Sequence, residues 1–146
     1  MPAITALQFE QLMERELPFA KTMGLAVDEV GEEEVKVRAV YNSEFLRPGG
    51  TVSGPVMMGL ADAAMYLAVM ARLGPVALAV TTQLSINFLR KPEPGDVIAV
   101  ARLLKLGKRL AVGEVALYSA SHPEDEMVAH VTATYSIPPQ SSNRSA

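Results

Sequence analysis

The chain has no cysteine and no tryptophan, and it carries only two histidines, four tyrosines and four phenylalanines. Without thiols there can be no disulfides, no thiolate metal site and no cysteine nucleophile. Two histidines, His122 and His130, are too few for a histidine-rich zinc centre. The sequence also lacks a Walker-type phosphate loop, a Gly-x-Gly-x-x-Gly fingerprint and a Gly-x-Ser-x-Gly nucleophile elbow. Basic charge is sparse: 13 Lys and Arg against 16 Asp and Glu give a net charge of −3, which argues against nucleic acid as the partner. Residues 1–16 carry Glu10, Glu14 and Glu16 and lack the basic start and apolar run of a signal peptide, so a cytoplasmic location is expected. One long apolar run exists, at 56–73. It is marginal for a bilayer span, contains Asp62 and Arg72, and lies between strand-like segments. A buried helix of a water-soluble protein is expected there, and no membrane partner.

What remains is a 146-residue chain with 49% hydrophobic and 20% charged residues. That is the size and composition of one globular domain over 1–146, with a loose polar tail at 138–146. Leu7, Phe9, Leu12 and Met13 recur at helical spacing and predict a short helix over 5–17, which Pro18 ends or turns. Strands are expected at 25–30 and at 35–41, where Val35, Val37, Ala39 and Tyr41 alternate with Lys36 and Arg38. A loop at 42–52 leads to a helix over 54–73, stopped by Gly74 and Pro75. Four more strands follow, at about 77–90, 96–106, 109–120 and 126–137. Their short connections imply antiparallel pairing, with His122 in the last turn. An apolar helix with no polar face must be wrapped on most sides. The expected class is therefore α+β: a curved antiparallel sheet around one long central helix, with a short helix before it.

Asp62 is the anomaly. It is the only residue charged at neutral pH between Gly54 and Ala71, and no lysine or arginine lies one turn away. A buried carboxylate without partners costs several kcal/mol, as an order of magnitude. Asp62 therefore pairs across an interface, has a chemical task, or accepts hydrogen bonds from a neighbouring loop. Ser53 is placed to cap the helix. Gly54 is either a plain turn residue or an unobstructed amide donor at the positive helix end. The two positions are eight residues apart, about 12 Å along a helix axis, too far to act on one carbonyl. If both are functional, two copies of the chain must build the site. Thr81 belongs to a polar stripe with Gln83, Ser85 and Asn87, or orients a water. Arg90, Lys108 and Arg109 read as solvated strand ends or as a phosphate grip. Met57, Met58, Met65 and Tyr66 are candidates for a substrate pocket, with core packing as the competing reading. His130 alternates with Thr132, Thr134 and Ser136 and is expected on a polar sheet face.

The stretch Gly50-Thr51-Val52-Ser53-Gly54-Pro55-Val56-Met57-Met58-Gly59-Leu60-Ala61-Asp62 resembles the signature of hotdog-fold acyl-CoA thioesterases. The nearest group is the phenylacetate-pathway type of the 4-hydroxybenzoyl-CoA thioesterase superfamily. In that group a His-Gly-Gly opens the central helix and an acidic residue follows nine positions later, which is where Asp62 falls. The later segments at 79–90, 94–96 and 106–109 look like the same family. This chain has Ser53 for the usual histidine, Pro55 for the second glycine and Arg47 for a common asparagine. The resemblance implies the hotdog fold, and homodimers that pair again into tetramers. It implies that Asp62 acts as base or nucleophile on an acyl-CoA thioester while the Gly54 amide polarises the carbonyl. It also implies that Thr81 assists the water and that Arg90, Lys108 and Arg109 meet the coenzyme A phosphates. Coenzyme A is then part of the substrate and no cofactor is implied. A non-catalytic acyl-CoA binding protein on the same scaffold is the alternative, and a dehydratase on that scaffold ranks lower for want of a histidine at the helix start.

Overall fold

The computed structural model describes residues 1–121 and 126–139. The elements run in chain order as helix α1 (Ala6–Glu16), α2 (Pro18–Thr22), strands β1 (Leu25–Val30), β2 (Val35–Ala39), β3 (Leu46–Arg47) and β4 (Thr51–Val52), helix α3 (Gly54–Leu73), then β5 (Val80–Phe88), β6 (Val97–Leu106), β7 (Leu110–Ser119) and β8 (Met127–Ser136). Pro18 begins a short second helix, since its fixed φ suits a first helical position. The expected loop at 42–52 holds a 3₁₀ turn (Ser43–Phe45) and the small β3–β4 hairpin. His122 and residues 140–146 lie outside the described residues.

Six strands form one antiparallel sheet in the order β1-β2-β6-β7-β8-β5. Its inner face is lined with small and branched residues: Val35, Val37, Ala99, Ala101, Ala111, Val115, Ala129, Val131 and Ala133 are all essentially buried. Small side chains let α3 settle close to the strands. Leu60, Met65, Leu67, Val69 and Met70 of α3 are fully buried, each contributing about 1.5–3 kcal/mol of transfer free energy before entropy is set against it. On the side the sheet leaves open, Phe9 of α1 meets Tyr66 edge-on, with ring centroids 5.9 Å apart. The apolar helix is thus the core of the molecule and not a membrane span. Gly74, at φ 85°, ends it with its N–H on the Met70 carbonyl.

One glycine sets the helix-to-sheet distance. A Cβ on Gly113 of β7 would stand 2.6 Å from Met65 Sδ and 2.7 Å from the Arg102 carbonyl oxygen. The sulfur could move, but the carbonyl belongs to the paired strand β6. Gly113→Ala is expected to destabilise the fold by about 1–3 kcal/mol. The measurement is a urea titration, and an unchanged midpoint would refute this close-approach role.

On the outer face, Arg102, Glu114 and His130 form a row across β6, β7 and β8. Arg102 Nη2 and Glu114 Oε2 are 2.7 Å apart, and His130 Nε2 lies 3.0 Å from Glu114 Oε1. The His130 contact, then Arg102, holds the Glu114 carboxyl below its ordinary range. At the β1 end, Arg38 bridges Asp28 and Asp96 at 3.1 and 2.9 Å. The Tyr41 amide and Arg38 keep the Asp96 carboxyl low against the opposing effect of burial.

Candidate active site

Asp62 sits on the third turn of α3, half-buried, facing the junction of β5 and β8. Its Oδ1 accepts two hydroxyl hydrogen bonds, from Thr81 Oγ1 at 2.6 Å and from Tyr135 OH at 2.8 Å. The Tyr135 hydroxyl also lies 2.9 Å from the Asp62 backbone carbonyl. The donors come from two strands, not from a neighbouring loop. Burial, and then the Asp62 charge, push the Tyr135 phenol far above its usual range, so it stays a neutral donor. Burial raises the Tyr66 phenol as well.

Thr81 reaches Asp62 because β5 is irregular. Thr81 pairs with Tyr135 and Gln83 with Thr134, so Thr82 is an extra residue between them. Beyond the bulge, Gln83, Ser85 and Asn87 face outward opposite Thr134, Thr132 and His130. Strict alternation would have put Thr81 on that outer face too. The bulge turns it inward instead.

Asp62 opens on a cavity of about 510 Å³. Its walls are mostly apolar: Leu17, Phe19 and Met23 from the α1–α2 region, Ala77 and Leu78 from the segment after α3, and Tyr66. Tyr66 donates from its hydroxyl to the Ala77 carbonyl at 2.6 Å. Gly59, one turn before Asp62, leaves room for α2. A Cβ there would fall 2.7 Å from Met23 Sδ.

The other residues singled out in the sequence are distributed differently. Gly54 lines a second hollow of about 320 Å³, with Arg47, Met57, Phe88, Arg90 and Lys91. Its missing Cβ has two local reasons. It precedes Pro55, whose ring disfavours a helical residue carrying a Cβ before it, and the Phe88 ring lies 3.3 Å from where that Cβ would be. Ser53 occupies the N-cap position, yet its side chain makes no capping hydrogen bond. Its hydroxyl therefore points to no structural duty at the helix start. Met58 is 41% exposed and Met65 is fully buried beneath Gly113, so neither lines the Asp62 cavity. Of the four pocket candidates only Tyr66 does. Arg90 donates to the Met127 carbonyl and pairs with Glu126 at 3.3 Å. Lys108 lines a hollow with Arg72 and Ile137, and Arg109 accepts the Ile137 amide. Arg90 and the Lys108–Arg109 pair thus lie at opposite ends of β8, about 30 Å apart for ten residues of strand. In one protomer they make no common grip. His130 lies on the face of the sheet away from Asp62. Among the described residues no cluster of three or more His, Asp or Glu could hold a metal ion.

Sequence reasoning missed Tyr135. It stands among Val131 and Ala133 on the inner side of β8, and a lone hydroxyl in that buried row was the available signal.

A long helix wrapped by a six-stranded antiparallel sheet, with one hydroxyl-bound carboxylate at its flank, is the hotdog architecture. Residues 49–126 match the thioesterase superfamily, and the chain belongs to that family and is a hydrolase of its class. It is 43% identical to the solved structure named "putative thioesterase" from Silicibacter sp. TM1040, covering 95% of both chains with a TM-score of 0.83. It is 30% identical to a mutant of the phenylacetic acid degradation protein PaaI from Thermus thermophilus, covering 83% of this chain and 99% of that one, with a TM-score of 0.71. The "putative esterase" of Halobacterium salinarum is 32% identical over 108 residues, 70% of this chain and 71% of that protein.

Proposed function

We propose that the protein is a cytoplasmic acyl-CoA thioesterase whose two active sites lie between the chains of a homodimer. The observation that carries this reading is the Asp62 carboxylate at the mouth of an apolar cavity, with no cation paired to it among the described residues. A carboxylate so placed serves as base or nucleophile.

Strand β5 supports the shared site. It is an edge strand, exposed along most of its nine residues, with Val80 56% and Phe88 50% exposed. A long bare edge is a template for pairing with another chain. Along β5, Thr81 touches Asp62 and Phe88 touches Gly54. A two-fold axis through the middle of the strand sets Phe88 of one copy beside Thr81 of the other. That brings the Gly54 amide of each chain to the Asp62 of its partner. The same operation moves Arg90 towards the end of the sheet where the other chain carries Lys108 and Arg109. Three cations then converge where coenzyme A phosphates can be held. The family resemblance favours a further pairing of dimers.

Hydrolysis needs only water. In the general-base route, water oxygen bonds to the thioester carbonyl carbon as Asp62 takes the water proton. The Gly54 amide, with the Ser53 hydroxyl beside it, steadies the oxyanion. The carbon–sulfur bond then breaks, and the leaving thiolate takes the proton, giving acid and thiol. In the covalent route, Asp62 attacks the carbonyl, expels the thiolate and is freed when water opens the anhydride, the thiolate taking the proton that the water gives up. The size and lining of the cavity suit a small aryl or medium-chain acyl group, with no protein cofactor.

The test is release of free thiol from a panel of aryl- and alkyl-CoA esters. Turnover on some members with a preference among them is the expected result. Saturable binding with no release from any ester would instead favour the non-catalytic acyl-CoA binding protein, a reading motivated by Ser53 and Pro55 in place of the usual histidine and glycine.

A further inference from the structure

We propose that Tyr135 is a positioning residue which makes Oδ2 of Asp62 the reacting oxygen, by holding Oδ1 with its hydroxyl. The inference rests on the thioesterase reading and concerns how that site is ordered. Tyr135 is 3% exposed. Its ring stacks on Tyr66 at 5.9 Å and 25°. Tyr66 is fixed in turn by the edge of Phe9 and by its own bond to the Ala77 carbonyl. The Tyr135 hydroxyl is therefore delivered by a rigid stack of rings, not by a mobile side chain.

What that hydroxyl touches is unusual for a packing residue. It meets the carboxylate and the backbone carbonyl of the same residue, tying the Asp62 side chain to its own helix. Thr81 adds a second donor to the same oxygen at 2.6 Å. Two donors occupy Oδ1, whereas among the described residues none is placed on Oδ2. Only Oδ2 keeps its lone pairs for a water proton or a carbonyl carbon. A carboxylate free to spin would present either oxygen in many orientations, and reaction demands one. The other ionisable groups lining this cavity are Glu16 and Tyr66. Neither makes a hydrogen bond to Asp62.

Tyr135→Phe removes one oxygen atom and leaves the ring on Tyr66. The expected result is a fall in kcat of about 10- to 100-fold with KM changed little. Thr81→Val removes the other donor to Oδ1, is expected to lower kcat with KM changed little, and carries the test if Tyr135→Phe does not fold. Wild-type kcat in the folded variants, or a loss that appears in KM and not in kcat, overturns the proposal. The chemical shift of the Asp62 carboxyl carbon, read by NMR at one neutral pH, gives a readout independent of turnover, because it responds to the loss of a donor on Oδ1. If the wild type hydrolyses no thioester, the thioesterase reading fails. The clamp still stands if that chemical shift moves in Tyr135→Phe, and falls if it does not.

Discussion

Asp62→Ala is expected to abolish thioester turnover while leaving the fold intact. The carboxylate is the only ionised group that α3 presents between its start and Ala71, and Thr81 and Tyr135 hold it at the cavity mouth. Loss of the group that activates the nucleophile costs about 10²–10⁴-fold where it acts as general base, and more if it is itself the nucleophile. Stability should move little or rise, because the substitution removes a half-buried charge and leaves two hydroxyls that can turn to solvent or to each other. The measurement is thiol release together with thermal unfolding. A folded Asp62→Ala protein with full activity would falsify the assignment. Hydrolysis by the wild type in ¹⁸O-labelled water, limited to one turnover, then separates the two routes. Direct attack, with water opening the anhydride at the Asp62 carbon, leaves the first acid released without label, its two oxygens coming from the thioester and from Asp62, whereas the general-base route puts one label in it.

The second large effect concerns the shared site. Gly54→Pro removes the amide hydrogen at the helix start and also crowds Phe88 and Pro55; losing one such oxyanion donor alone costs about 10²–10³ in kcat. Alone, Gly54→Pro and Asp62→Ala should each be nearly inactive. Mixed in equal amounts through unfolding and refolding, half of the dimers pair one variant with the other. In each mixed dimer one site carries both defects and the other carries neither. Activity should return to about one quarter of the wild-type level. A site contained within a single chain predicts no recovery at all.

Much of the architecture could be read from residue order because local and global preferences agree in this chain. Gly54-Pro55 at one end and Gly74-Pro75 at the other bracket α3 at the limits the structure shows. The inward Val35, Val37 and Ala39 mark β2 by simple alternation. The site was less legible. Asp62 stood out by its isolation, but its partners lie 19 and 73 residues along the chain, and no local pattern ties them to it. Met65 looked like a pocket residue because thioether side chains suit pockets and cores alike. It was the glycine across from it, Gly113, that decided for the core. Arg90 and Arg109 looked like one cluster because both end strands at polar turns. Antiparallel strand direction places them at opposite ends of the sheet.

The extra residue at Thr82 makes this site a matter of counting as well as chemistry. Side chains on a strand alternate, so one residue more or fewer exchanges the faces of everything on one side of the change. Deleting Thr82 would keep every functional group in the sequence and yet turn the Thr81 hydroxyl away from Asp62, or else shift Gln83, Ser85 and Asn87 into the core. Within this fold, an insertion or deletion of one residue between Val80 and Gln83 is therefore a heavier change than most substitutions there. Two relatives with the same threonine can differ in whether it reaches the carboxylate at all.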